Sequence, residues 1–102
     1  MADTYSRQQV AVVTAVGEFD ADTIGPIAGR LTGAAATHPV VVLDASALTF
    51  ADSTFLNLLL QVRRQTTLRI AAPGKSFLRL LAITGTDTVL DVRPSVEDAV
   101  RP

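Results

Sequence analysis

Val40-Val41-Val42-Leu43-Asp44-Ala45-Ser46-Ala47-Leu48-Thr49-Phe50-Ala51-Asp52-Ser53-Thr54 reads as a short strand, a loop and the first turn of a helix. Residues 40–43 are apolar at both parities, which is the pattern of a strand covered on both faces, and Asp44 ends it. Residues 45–52 are read as the loop, and Ser53 as the N-cap whose side chain holds the first amides of the helix. Placed at 100° per residue, Phe55, Leu56, Leu58, Leu59, Leu60 and Val62 fill an arc of about 200°. Thr54, Asn57, Gln61, Arg64 and Gln65 share the remaining polar stripe. A strand buried on both sides that feeds such a helix belongs to a parallel sheet with helices packed on it.

The flanking sequence repeats that alternation. Residues 10–16 are β-branched or small on both parities, so a second buried strand is expected there, with Gly17 ending it. Residues 4–8 carry one Tyr as their apolar content and are either an antiparallel edge strand or a frayed tail. From Asp22 or Thr23 a helix is expected, because Ile24, Ile27, Ala28, Leu31 and Ala35 recur at spacings of three and four. Pro26 is tolerated in its first turn, and Thr37-His38-Pro39 breaks it. Gly25, Gly29 and Gly33 then fall on the solvent side. Further on come a strand at 68–72, a turn at Pro73-Gly74, a helix at 76–84 closed by Gly85, a strand at 89–92 and a short helix capped by Ser95. The expected fold is α/β: one domain over residues 1–102, with a small mixed, mostly parallel sheet of four to five strands and about four helices.

Composition narrows the function. Nine basic residues stand against ten acidic ones with no cluster of either sign, so no electrostatic footprint for nucleic acid exists. The absence of Cys removes thiolate metal sites and thiol catalysis, and a lone His38 removes most catalytic triads. No apolar run approaches the roughly 18 residues of a membrane span, and the first residues lack the apolar segment of a signal peptide. A soluble, cytoplasmic protein without membrane insertion is expected.

In parallel sheets functional groups gather at the carboxyl ends of strands. Pro73-Gly74-Lys75-Ser76 has the tail of a phosphate-binding loop, but Arg69 stands where its first glycine belongs and Pro73 lacks an amide donor. Glu18, Asp20 and Asp44 are expected at that edge, where they either hold a cation or simply terminate strands and order loops. His38, after a helix and before Pro39, suits a helix C-terminus better than a nucleophile's base. Ser53 is a hydroxyl at the positive end of a helix, receptive to a phosphate, although capping alone accounts for its residue type.

Three strings taken together resemble the STAS family, and among its members the anti-sigma factor antagonists. Gly17-Glu18-Phe19-Asp20 matches the end of the family's first buried strand, and residues 44–54 match its signature D-x-S-x-hydrophobic-x-F-x-D-S-[ST]. Ala71-Ala72-Pro73, followed by a helix ending in Thr84-Gly85, matches its later part. The resemblance implies a cytoplasmic binding module with no catalytic residue, cofactor or metal. Ser53 would be phosphorylated by a GHKL-type serine kinase that doubles as the anti-sigma factor, and reset by a phosphatase acting on phospho-Ser53. The unphosphorylated form would bind the kinase and release a sigma factor. Asp20, Asp44, Thr49, Asp52, Thr54, Asn57, Gln61 and Arg64 would form the binding surface. Where many members carry Gly, this chain carries Phe55, whose helical angle turns it to the core. The alternative within the family is a STAS subunit without a phosphoswitch, an accessory of a lipid or anion transporter or a signalling scaffold.

Overall fold

The computed structural model describes residues 4–7 and 9–101. Its elements in chain order are β1 (Thr4–Arg7), β2 (Val10–Phe19), α1 (Ile24–Thr37), β3 (Val40–Ala51), α2 (Ser53–Gln65), β4 (Thr67–Ala71), α3 (Lys75–Thr84), a 3-10 turn (Thr86–Thr88), β5 (Asp91–Arg93) and α4 (Val96–Val100). The sheet order is β1-β2-β3-β4-β5; β1 is antiparallel to β2 and the other three pairings are parallel. The edge-strand reading of the N-terminal segment therefore holds for residues 4–7, while Gln8 lies outside the described residues.

Two strands are longer than their sequence suggested. β2 does not stop at Gly17: that residue takes φ +94, a conformation open to glycine, and the strand continues to Phe19. The expected loop after Asp44 is also strand, with β3 running twelve residues to Ala51. The register explains how. Thr14 pairs with Asp44 and Val16 with Ala47, and Gly17 pairs with Leu48 but Glu18 with Phe50, so β3 carries one extra residue at each of two bulges. A bulge bends a strand without ending it, which is why a composition of Ala, Ser and Thr passed for a loop.

The helices divide between the two faces. Ile27, Leu31, Ala34 and Ala35 of α1, the apolar arc of α2, and Phe77 and Leu81 of α3 bury against Ala11, Val13, Ala15, Val41, Leu43 and Ala45 on one face. On the other, Ala99 of α4 packs with Val12, Val42 and Ala71. α1 shows its three glycines to solvent, and a Cβ added at any of them meets nothing within 4 Å, so they make no close helix contact. His38 follows α1 as its C-cap and donates its backbone N–H to Ala34 O. α4 is held by Arg69, whose Nη1 donates to the carbonyls of Ala99 at 2.7 Å and Arg101 at 2.9 Å. Ser95 caps that helix by accepting from Asp98 N–H.

Phe55 sits at the junction of three elements and is fully buried. Its ring stacks on Phe19 of β2 with centroids 5.3 Å apart and meets Phe77 of α3 at 6.0 Å. The core placement read from its helical angle is what the structure shows. Replacing it with Ala leaves a cavity between three elements, so Phe55→Ala should cost about 3–5 kcal/mol. Denaturant unfolding measures that cost; an unchanged midpoint would mean the ring contributes no packing.

Candidate functional site

Phe19↔Ala51 is the last register pair of β2 and β3, so the segments bearing Asp20 and Asp52 leave the sheet side by side. This end of the sheet, with the N-terminus of α2, is where most of the expected site residues meet. The local sequence explains the geometry. Asp52 has extended backbone (φ -120, ψ -167) and its carboxylate accepts the Thr54 N–H at 3.0 Å, so Asp52 is the N-cap and Ser53 is the first helical residue. That corrects the assignment of the cap to Ser53. Its physical consequence is direct: Asp52 has taken the capping position, and the Ser53 side chain, exposed to solvent, has no hydrogen-bond partner among the described residues.

Asp20 works as a turn organiser. Its Oδ1 accepts from Asp22 N–H at 2.9 Å and Thr23 N–H at 3.1 Å. Thr23 Oγ1 accepts the Asp20 N–H at 2.9 Å and lies 3.1 Å from Asp20 Oδ1 and 3.2 Å from Glu18 O, one of which takes its single proton. The Asp22 amide first, and then the Thr23 hydroxyl, hold the Asp20 carboxyl below its ordinary value. Thr23 is the N-cap of α1 but its hydroxyl bonds back into this turn instead of capping the helix amides, so the Asp20–Thr23 turn orders the entry to α1.

On α2, Ser53, Asn57, Gln61 and Arg64 fall within a stripe of about 80° at 100° per residue, and Arg64 lies about 16 Å along the axis from Ser53. Ser53, Asn57, Gln61 and Arg64 are exposed and Thr54 is half-buried. Because Phe55 is two residues beyond Ser53, its burial turns Ser53 outward by about 200°. Thr49, the extra residue at the second bulge, is exposed at the same end of β3.

Asp44 does not join them. It lies seven residues before Ala51, roughly 20 Å back along the strand. Its neighbours Leu43 and Ala45 face α1, α2 and α3, so alternation puts Asp44 on the α4 face with Val42. Its carboxylate accepts the Ser46 N–H at 3.0 Å, ordering the first bulge. Grouping Asp44 with Asp20 required β3 to end at residue 44, which it does not.

The sequence reading also missed a groove beside the site. Leu48 and Phe50 on β3 face Phe77, Arg79, Leu80 and Ile83 on α3 across a cleft of about 250 Å³. Phe50 is 51% exposed and Ile83 75%. An aliphatic residue left in the open on α3 was the available signal. Among the described residues no helix is long and apolar enough to cross a membrane.

The fold has known counterparts. A family profile described as Mlab, STAS domain, matches residues 3–93, and the chain belongs to the STAS domain family. No curated protein matches the sequence significantly. Among solved structures, the chain is similar to an anti-sigma factor antagonist from Mycobacterium paratuberculosis, with 26% identity and a TM-score of 0.86 over 95% of this chain and 87% of that one. It is also similar to the anti-sigma factor antagonist SpoIIAA of Bacillus in its unphosphorylated form, with 16% identity and a TM-score of 0.80 over 96% and 91%. The STAS domain of a SulP transporter from Vibrio cholerae shares 17% identity and a TM-score of 0.69 over 93% and 80%. At those identities the last two likenesses show the fold alone.

Two measurements check the site. Asp52→Ala should lose about 1 kcal/mol of stability with the cap, whereas Ser53→Ala should stay within about 0.5 kcal/mol. A larger loss from the serine change would return the cap to Ser53. For Asp20, a carboxylate whose folded pKa is depressed stabilises the turn above the ordinary Asp range, and that contribution is lost as pH falls through the folded value. Carboxyl-carbon NMR should place its midpoint below 3.8, with the Asp22 and Thr23 amides following the same titration; a midpoint at or above 3.8 would contradict the hydrogen-bonded turn.

Proposed function

We propose that the protein is an anti-sigma factor antagonist that binds an anti-sigma factor with serine-kinase activity, of the GHKL type, and thereby releases a sigma factor. Phosphorylation of Ser53 ends that binding, and a phosphatase restores it. The observation that carries this reading is the unengaged, outward-facing Ser53 hydroxyl at the first position of α2, beside a cap that does not need it. Likeness to the anti-sigma factor antagonist of Mycobacterium paratuberculosis over nearly the whole chain supports the choice of partner. The binding face comprises Thr49, Asp52, Thr54 and the stripe of Asn57, Gln61 and Arg64, with the Asp20 turn alongside; Asp44, on the other face of the sheet, is left out.

The switch follows from charge. A phosphate on Ser53 adds about −1.5 to −2 charges at pH 7 to a chain of formal charge −1, next to the Asp52 carboxylate. The helix N-terminus offsets this by about 1 kcal/mol, which keeps the fold intact. At a closed interface the same group must lose its water and meet Asp52 at short range. That costs several kcal/mol, on the order of what breaks a protein complex. The anion is therefore tolerated by the free protein and rejected in the complex.

The transporter-accessory reading has only the shared fold of the SulP STAS domain beside it, at the lower TM-score of 0.69. It needs no modification at Ser53, and the same experiment separates the two. The protein is incubated with the GHKL-type kinase encoded nearest to it and Mg-ATP, and the product is mapped by mass spectrometry. One phosphate on Ser53 is expected. Ser53→Ala should bind the kinase whether or not ATP is present, and Ser53→Asp should bind at least about tenfold more weakly while remaining folded. Phosphate on Thr54 alone moves the switch by one residue; no incorporation favours the accessory.

A further inference from the structure

β3 outruns β4. Asp44↔Ala71 is the last register pair between them, and beyond it Ala47, Leu48, Phe50 and Ala51 pair with β2 alone, across the two bulges. Alternate residues of a strand aim their amides and carbonyls at opposite edges, so the edge of this segment away from β2 has no strand to bond. Past the end of β4 no other element supplies the bonds: among the described residues no cap, turn or loop backbone hydrogen bond reaches residues 46–51. Opposite that open edge stands α3, and the cleft between them is the groove of about 250 Å³. It has a strand edge about 20 Å long on one side and a helix on the other.

The walls select what enters. Leu48, Leu80 and Ile83 are apolar. Arg79 lines the cleft, Lys75 lies one turn before it on the same stripe, and α3 contains no acidic residue. We propose that this groove takes an extended segment of a partner protein, added as a further strand along residues 45–51 of β3 and carrying alternating apolar and acidic side chains. A docked helix would fill the cleft but leave the strand edge unbonded. A second copy meeting through the same face would set two Lys75–Arg79 stripes against each other. Strand addition meets both conditions: the edge supplies main-chain bonds, and the helix supplies specificity for side chains of one parity. The inference stands independently of any modification at Ser53.

The test is an NMR titration of the isotope-labelled full chain with short capped peptides. A peptide of alternating Val and Glu should shift the resonances of residues 45–51 and of α3, with submillimolar affinity. Its Val-Lys counterpart should bind at least about tenfold more weakly, and Arg79→Glu, which leaves the stripe with one charge of each sign, should abolish that preference. Two further Val-Glu peptides, N-methylated at the Val or at the Glu amides, locate the backbone bonds; the one whose methylated amides face β3 should lose at least about tenfold in affinity. Ile83→Ser, at an exposed position, should weaken binding several-fold with an unchanged circular dichroism spectrum. Shifts absent from residues 45–51 at millimolar peptide would overturn the proposal. So would equal binding of the Lys peptide, of both methylated peptides, or concentration-dependent shifts of the same resonances without any peptide, which would assign the edge to a second copy.

Discussion

Burial of the Phe55 ring between Phe19 and Phe77 sets the rotation of α2, and much else follows from it. A helix can turn about its axis at little cost in backbone hydrogen bonding, so something must fix which residues face out. Here one large ring, enclosed by the end of β2 and the start of α3, does so at the first turn. With residue 55 inward, residues 53, 57, 61 and 64 are outward, and a hydroxyl stands at the positive end of the helix. The Phe55 ring therefore adds packing beneath the exposed serine and leaves its surface open.

The second constraint is the length of β3. By outrunning β4 it brings Ala51 level with Phe19 and delivers Asp52 and Ser53 to the end of the sheet where the Asp20 turn sits. The same overrun leaves an open edge facing α3. A polar stripe and an apolar cleft thus flank one strand end. The two surfaces differ in chemistry. The stripe begins at Ser53 beside the Asp52 carboxylate, whereas the cleft is lined by apolar side chains and Arg79.

The order of elements, the parallel pairing and the apolar faces of α1 and α2 were legible in the sequence because short unbroken apolar runs mark strands buried on both faces and a period of 3.6 residues marks the helices. What it could not carry was decided by backbone detail. Asp52 and Ser53 are equally good capping residues, and only the extended dihedrals of Asp52 choose between them. Gly17 signals both a strand end and a bulge, and the positive φ within a continuing strand settles it. Once residues 45–51 were read as loop, Asp44 became a strand end and joined the site. In the structure, parity sends it to the face covered by α4. The groove was missed because it lies between elements far apart in the chain, with the open Ile83 on α3 as its one local sign.

The claim that the outward stripe of α2 and its serine form the binding face is tested most directly by a crystal structure of the unmodified protein bound to its kinase. The account predicts that Ser53, Thr54, Asn57 and Gln61 are buried in the contact, with the Asp52 cap intact and Asp44 in solvent. A partner seated on the α4 face, with Ser53 open to water, would contradict it.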